Sequence, residues 1–337
     1  MLGQIKNKIQ KDLTGNFKQD FLHLEKQKRH YARHALVKEI LPEIELIQFA
    51  IIPKEKQDLL LDEHDEAHEK YKKEIDLARD FASKKNFAEA ESILANLAKF
   101  YEFTGIYNDD SMNECRRFHN YLENLLYRYY FNSNKNILQI DDPYMGPLYI
   151  TYAEIFFMNN KFEQAIHMAK KALSLNPVDA KIMLMLSEIY KKNKNLDELY
   201  TLSKQLLLCA YASSDVATAY RNIGYYFNET GKYPESVAAY CISYQYDSSS
   251  PHISTQLGDL KRKLGKNFSV PKIDKIQSIF AENSIQFGMP NATRHYLVAL
   301  IERYTQKDHE NLQKYYIDIF NDIYRTYDDL AKNKLET

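Results

Sequence analysis

The sequence predicts an all-α chain, and three observations carry that expectation. Apolar residues recur at three- and four-residue spacing almost throughout, which gathers them on one face of a helix, while two-residue alternation is rare. The periodic segments are joined by short polar turns: SKKN at 83–86, MNNK at 158–161, KNKN at 192–195, ETGK at 229–232 and TQKD at 305–308. Such short links fold consecutive helices back on each other as antiparallel hairpins. No Asn-Gly or Asp-Gly pair marks a β-hairpin, and the chain of 337 residues holds only 9 Gly.

In chain order, residues 1–52 read as two or three helices of separate character, ending near PEIELIQFAIIP. Residues 71–98 contain LARDFASKKNFAEAESIL, in which Ala78, Phe81, Phe87 and Ala90 carry the small-and-aromatic spacing of a helix hairpin. Three better-defined hairpins follow over 146–250. HISTQLGDLKRKLGKNF then reads as the first helix of another, and 291–304 with 308–331 as a final hairpin rich in Tyr and Phe. The expected division is 1–55, 56–135, 146–250 and 251–333. An array of hairpins needs atypical end elements to cover its last apolar face, and the terminal helices suit that task.

The repeat is easiest to see in NNKFEQAIHMAKKALSLNP at 159–177, where Ala165, Ala169 and Ala172 share a helical line and Pro177 stops it. Counted from Gly146, the residues Tyr149, Tyr152, Ala153, Phe156, Ala165, Ala169, Ala172 and Pro177 fall at positions 4, 7, 8, 11, 20, 24, 27 and 32. This segment resembles the tetratricopeptide repeat, whose period is about 34 residues, although Ala169 is smaller than the usual aromatic there. The stretch 217–250 resembles it again through Tyr220, Ile223, Gly224, Phe227, Gly231, Tyr233, Ser236 and Tyr240. Between them, 180–213 matches through Met183, Leu186, Ser187, Tyr190 and Leu196, with Leu199 in place of Ala at position 20 and three extra residues before the next unit. Small residues at positions 8, 20 and 27 allow the two helices of a unit to approach closely, and aromatics at 4, 11 and 24 fill the space around them.

The resemblance covers about a third of the chain. It implies a right-handed superhelix of antiparallel helix hairpins, a TPR-like α-solenoid with extra N- and C-terminal helices. It also implies a concave groove, lined by the first helix of each unit, that binds a protein or peptide segment. Carried over residue by residue, the groove positions are Ile150, Glu154 and Phe157, then Lys181, Leu184, Glu188 and Lys191, then Arg221, Tyr225 and Asn228. Some family members clamp a C-terminal carboxylate with Lys and Asn where Ile150 and Glu154 stand here, so that particular clamp is not expected. The expected function is a non-enzymatic adaptor or scaffold. A peptide-sensing regulator is the second reading.

Composition narrows the alternatives. Lys and Arg total 45 against 46 Asp and Glu, so no overall field calls for nucleic acid or an anionic membrane. Three cysteines, Cys115, Cys209 and Cys241, form neither an even disulfide set nor a CxxC metal site, which points to a reducing compartment. The first thirty residues lack an apolar stretch, so no signal peptide is expected, and no run is long and apolar enough to span a bilayer. The expectation is a cytoplasmic chain without a cofactor, whose terminal helices are candidates for homo-oligomer contact.

Enzyme-like strings are few. In LDEHDEAHEKY, His64 and His68 stand four apart as in the zinc proteases, but the residue after the first His is Asp65 rather than Glu and no third ligand follows. A zinc-dependent hydrolase built on this pair is the third reading, and an acidic helix face is the simpler account. His30 and His34 repeat the spacing within the basic stretch of Lys26, Lys28, Arg29 and Arg33, which reads as a solvated cationic face. Cys115 and His119 are also four apart, without an evident orienting group. No Gly-rich phosphate loop, nucleophile elbow or dinucleotide fingerprint occurs.

Overall fold

The computed structural model describes residues 2–31, 34, 36, 40, 43–44, 47–48, 50–51, 64–105, 107–131, 135–140, 142–306 and 310–332. Among them the regular structure is fifteen α-helices, one 3-10 turn and two four-residue strands, so the chain is all-α. It divides into two compact units. The first comprises residues 1–115 and 140–151, the second 116–139 and 152–337.

The first unit opens with α1 (Leu2–Lys11) and α2 (Phe17–Tyr31). Ile9, Leu24, Tyr31, Ile40, Ile44 and Ile47 close a small apolar core there. The turn between the two helices is held by Asp20, itself 2% exposed, whose carboxylate accepts from the backbone N–H groups of Thr14 (2.6 Å) and Gly15 (2.8 Å). Helices α3 (His64–Ser83) and α4 (Phe87–Thr104) then form a hairpin. Ala78, Ala82, Ala90 and Leu94 are all but fully buried, as the small-residue spacing of this stretch predicts.

Strand β1 (Asn113–Arg116), helix α5 (Tyr121–Phe131) and strand β2 (Asn136–Gln139) come next, and α6 (Met145–Met158) begins in the first unit and ends in the second. Helices α7 (Phe162–Leu175), α8 (Ala180–Asn193), α9 (Leu196–Cys209), α10 (Ser213–Glu229) and α11 (Tyr233–Tyr246) follow. Helix α8 packs on α7 and α9, α10 packs on α8 and α9, and α10 pairs with α11. The three extra residues before 217 add a turn to the start of α10, which has 17 residues where α7, α8, α9 and α11 have 14. The pairing of helices therefore passes through the insertion.

One turn recurs, and it ties the hairpins together as repeats. The carbonyls of Phe81, Phe156, Tyr190 and Phe227 accept from the backbone N–H five residues on, at Asn86, Lys161, Asn195 and Lys232, over 2.8–2.9 Å. The residue before each donor is left-handed: Lys85 (φ 61°), Asn160 (57°), Lys194 (59°) and Gly231 (76°). This six-to-one bond around a left-handed residue is the Schellman closure of a helix C-terminus. The same aromatic-led closure ends a later helix, where Phe280 accepts from Ile285 and Ser284 has φ 52°.

Past α11, α12 (Pro251–Leu264) leads through the 3-10 turn Gly265–Asn267 to α13 (Ile273–Glu282), α14 (Asn291–Gln306) and α15 (Glu310–Lys332). Helix α11 packs on α12, α13 and α15, while α14 packs on α15 and α5.

Candidate functional site

Of the ten groove positions named from the sequence, nine lie in the second unit; Ile150 belongs to the first. On α8, Met183, Leu186, Ser187 and Tyr190 are buried, so Lys181, Leu184, Glu188 and Lys191 form the outward stripe, with Lys181 and Glu188 exposed. On α10, Tyr220, Ile223, Gly224 and Phe227 are buried and Arg221, Tyr225 and Asn228 are half-buried. Glu154 is exposed on α6, and Phe157, half-buried, meets Phe162 of α7 with ring centroids 5.9 Å apart.

Much of the charge on this stripe is paired within the chain. Lys191 Nζ lies 2.6 Å from Glu188 Oε1. Arg221 Nη1 lies 3.2 Å from Asp247 Oδ2, and the Ser249 hydroxyl, with Arg221 beside it, holds the Asp247 carboxyl below its ordinary range. Asn228 Oδ1 accepts from Lys263 Nζ of α12 at 2.9 Å. Burial, with Glu229 nearby, pushes the Tyr225 hydroxyl up, so it stays protonated and presents a neutral ring edge. What remains outward is a set of apolar side chains, Phe157, Leu184 and Tyr225, among charges that are mostly paired, with Lys181 exposed alongside. Beside them, Asn222 is fully buried with neither amide group hydrogen-bonded among the described residues, an arrangement that costs about 1–3 kcal/mol.

A second polar centre escaped the sequence reading. Glu123 of α5 is 1% exposed and accepts from Tyr211 Oη (2.7 Å), Asn176 Nδ2 (2.8 Å) and the His119 backbone N–H (2.8 Å). Asn120 Oδ1 accepts from the Glu123 N–H, and Asn120 Nδ2 donates to Tyr211 Oη. The buried thiol of Cys209, with Glu123 near it, is pushed up to about 12. His119 Nε2 meets Asp179 Oδ2 at 2.7 Å, and that bond raises the imidazole pKa. Asp179 also caps α8, accepting from Lys181 and Ile182. Every oxygen of Glu123 is thus engaged by a fixed donor, which makes the centre a clamp that seats α5 on the turns before α8 and α10. One part was readable: Asn120-Tyr-Leu-Glu123 has the spacing of a capping box.

The other sequence candidates do not converge. The side chains of His64 and His68 lie outside the described residues, as does Arg33. His34 Nδ1 accepts from the Leu36 N–H, and its ring packs edge-on to Tyr31. Cys115 is buried in β1, where its Sγ faces the Asn108 carbonyl at 3.9 Å. Among the described residues no three His, Cys, Asp or Glu side chains are grouped to hold a metal ion. No described helix is long and apolar enough to cross a membrane.

The hairpin stack defines a helical-repeat protein. No family model matches the chain, and no curated protein does. Among solved structures it is similar to PilF of Pseudomonas aeruginosa, at 14% identity over 81% of this chain and 99% of that one, with a TM-score of 0.40. A likeness of that size bears on neither the site nor the function.

Proposed function

We propose that the chain is a non-enzymatic adaptor that holds a protein or peptide segment along the outward stripe of α6, α8 and α10. The observation that carries this reading is the placing of α13–α15. Tyr200 Oη and Lys204 Nζ of α9 both donate to the Asn283 carbonyl at 3.1 Å. Tyr220 Oη donates to the Gln286 carbonyl at 2.7 Å and accepts from the Gly288 N–H at 3.2 Å. Asp322 of α15 accepts from the backbone N–H and hydroxyl of Ser213. The C-terminal helices thus sit on other faces of the repeats, and the stripe keeps its large apolar side chains only half covered.

Half-covered Phe157, Leu184 and Tyr225, set among charges most of which are paired within the chain, suit a segment-binding surface. The free thiols Cys115, Cys209 and Cys241 accord with a reducing, cytoplasmic setting. The test is capture from native extract with wild type and with a Phe157→Ala, Leu184→Ala, Tyr225→Ala triple variant shown by circular dichroism to stay helical. Partners retained by wild type and lost by the variant are expected. Equal capture by both would overturn the assignment of the stripe.

A further inference from the structure

Outside the stripe, one concentration of exposed, unbalanced charge lies where α12 ends and α13 begins. Residues 259–275 hold six cations, Lys261, Arg262, Lys263, Lys266, Lys272 and Lys275, against Asp259 and Asp274, in a chain whose net charge is −1. All six cations are exposed, Arg262 to 81% of its side chain. Arg262 pairs with Asp259, and Lys263 is held by Asn228 and the Tyr233 ring. Lys261, Lys266, Lys272 and Lys275 form no ion pair among the described residues.

Helix electrostatics explains only part of this set. Lys261, Arg262 and Lys263 occupy the last turn of α12, where the negative end of the helix dipole favours cations. Lys272 and Lys275 stand at the other kind of terminus. Lys272 is the N-cap of α13 and Lys275 lies in its first turn, so both add positive charge to a positive helix end. Lys266 sits between, in the 3-10 turn. Lys272 and Lys275 are therefore not accounted for by the helix ends, and an anionic partner would complement them together with Lys261 and Lys266.

We infer that this connection docks an acidic segment of another protein. Single-stranded nucleic acid binding calls for exposed rings on which bases stack, whereas the one ring of the segment, Phe268, packs onto the core of Val237, Tyr240, Ile253 and Leu260. A membrane surface calls for several apolar side chains to insert, whereas Val270, 64% exposed, stands alone among the lysines. An acidic segment carrying an occasional apolar residue matches both features: its carboxylates meet the lysines, and one side chain covers Val270.

The experiment measures fluorescence anisotropy of a labelled short peptide alternating Glu with Leu, titrated with the full chain. Expected is salt-sensitive binding that weakens about tenfold or more when Lys261, Lys266, Lys272 and Lys275 are all changed to Gln. Glutamine keeps helix propensity and removes no contact of the core, so the variant should melt as wild type does. A labelled oligothymidylate and phosphatidylserine vesicles are the competing probes. Tighter binding of either, or peptide binding unchanged in the Gln variant, would overturn the inference. The Leu184→Ala, Tyr225→Ala variant separates this surface from the stripe: it should still bind the peptide, and a loss confined to it would move the peptide to the stripe and overturn the basic connection as its site.

Discussion

The hairpins α8–α9 and α10–α11 are neighbours in the same array, with the same helix pairing and turn closure, yet they distribute bulk in opposite ways. In α10–α11 the positions 8, 20, 24 and 27 hold Gly224, Ser236, Tyr240 and Ser243. In α8–α9 they hold Ser187, Leu199, Ser203 and Leu206. The Tyr240 ring lies so close on α10 that a Cβ at Gly224 would stand 3.0–3.1 Å from three of its atoms. Close approach also lets Ser236 and Ser243 donate across the hairpin, to the carbonyls of Gly224 and Ala217, each at 2.7 Å. In α8–α9 the serines turn inward on their own helices, Ser187 to Met183 and Ser203 to Leu199, and leucines fill the gap. What is shared is the filled volume between two helices. Interiors demand that volume, while the choice of position that supplies it is free.

The largest expected effect breaks this comparison directly. Tyr240→Ser alone should cost about 3–5 kcal/mol through the cavity it leaves, and Ser236→Leu alone about 1–3 kcal/mol through overpacking. Together they write the second hairpin's pattern into the third, and the pair should cost less than the sum by about 1–2 kcal/mol in a urea-denaturation cycle. Strict additivity would mean that the two positions do not share one space.

A smaller effect sharpens the comparison at the turns. The left-handed residue is Gly231 in one hairpin and Lys194 in the other, and a side chain in that conformation costs about 1 kcal/mol. Lys194→Gly should raise the melting temperature and Gly231→Lys lower it. Matching shifts of the same sign would break the equivalence of the turns.

The smallest effect concerns the clamp beside α8. Because Asp179 raises the His119 pKa in the folded chain, its stabilisation is fully present below the ordinary imidazole value of about 6.5 and is lost as pH rises through the raised value. His119→Gln should flatten the melting temperature across that window. An unchanged pH profile in the variant would assign the dependence elsewhere.

These contrasts also explain what the sequence made legible. Helix type, the polar turns and the alanine line of 159–177 are local properties, and each appears where its spacing places it. The pattern of 180–213 matched weakly because Leu199 and Leu206 supply at positions 20 and 27 the bulk that Tyr240 supplies at 24, a compensation no position-by-position template registers. Asn120 and Glu123 carried a readable cap, but their partners Asn176 and Tyr211 lie 53 and 88 residues from Glu123. Least legible was the seating of α13–α14, because Tyr200, Lys204 and Tyr220 bond to backbone carbonyls, and a carbonyl leaves no mark in the residue alphabet.

These distant contacts, with that of Ser213, also bear on how the second unit comes apart. In a simple repeat array each hairpin touches its neighbours, so opening proceeds one unit at a time. Here Tyr220 closes a loop of 66 residues onto Gln286, Tyr200 one of 83 onto Asn283, and Ser213 one of 109 onto Asp322. Folding must wait for these distant closures, and unfolding must break them together. These closures fasten the last helices to the middle hairpins, and the expected consequence is that releasing the one loosens the other.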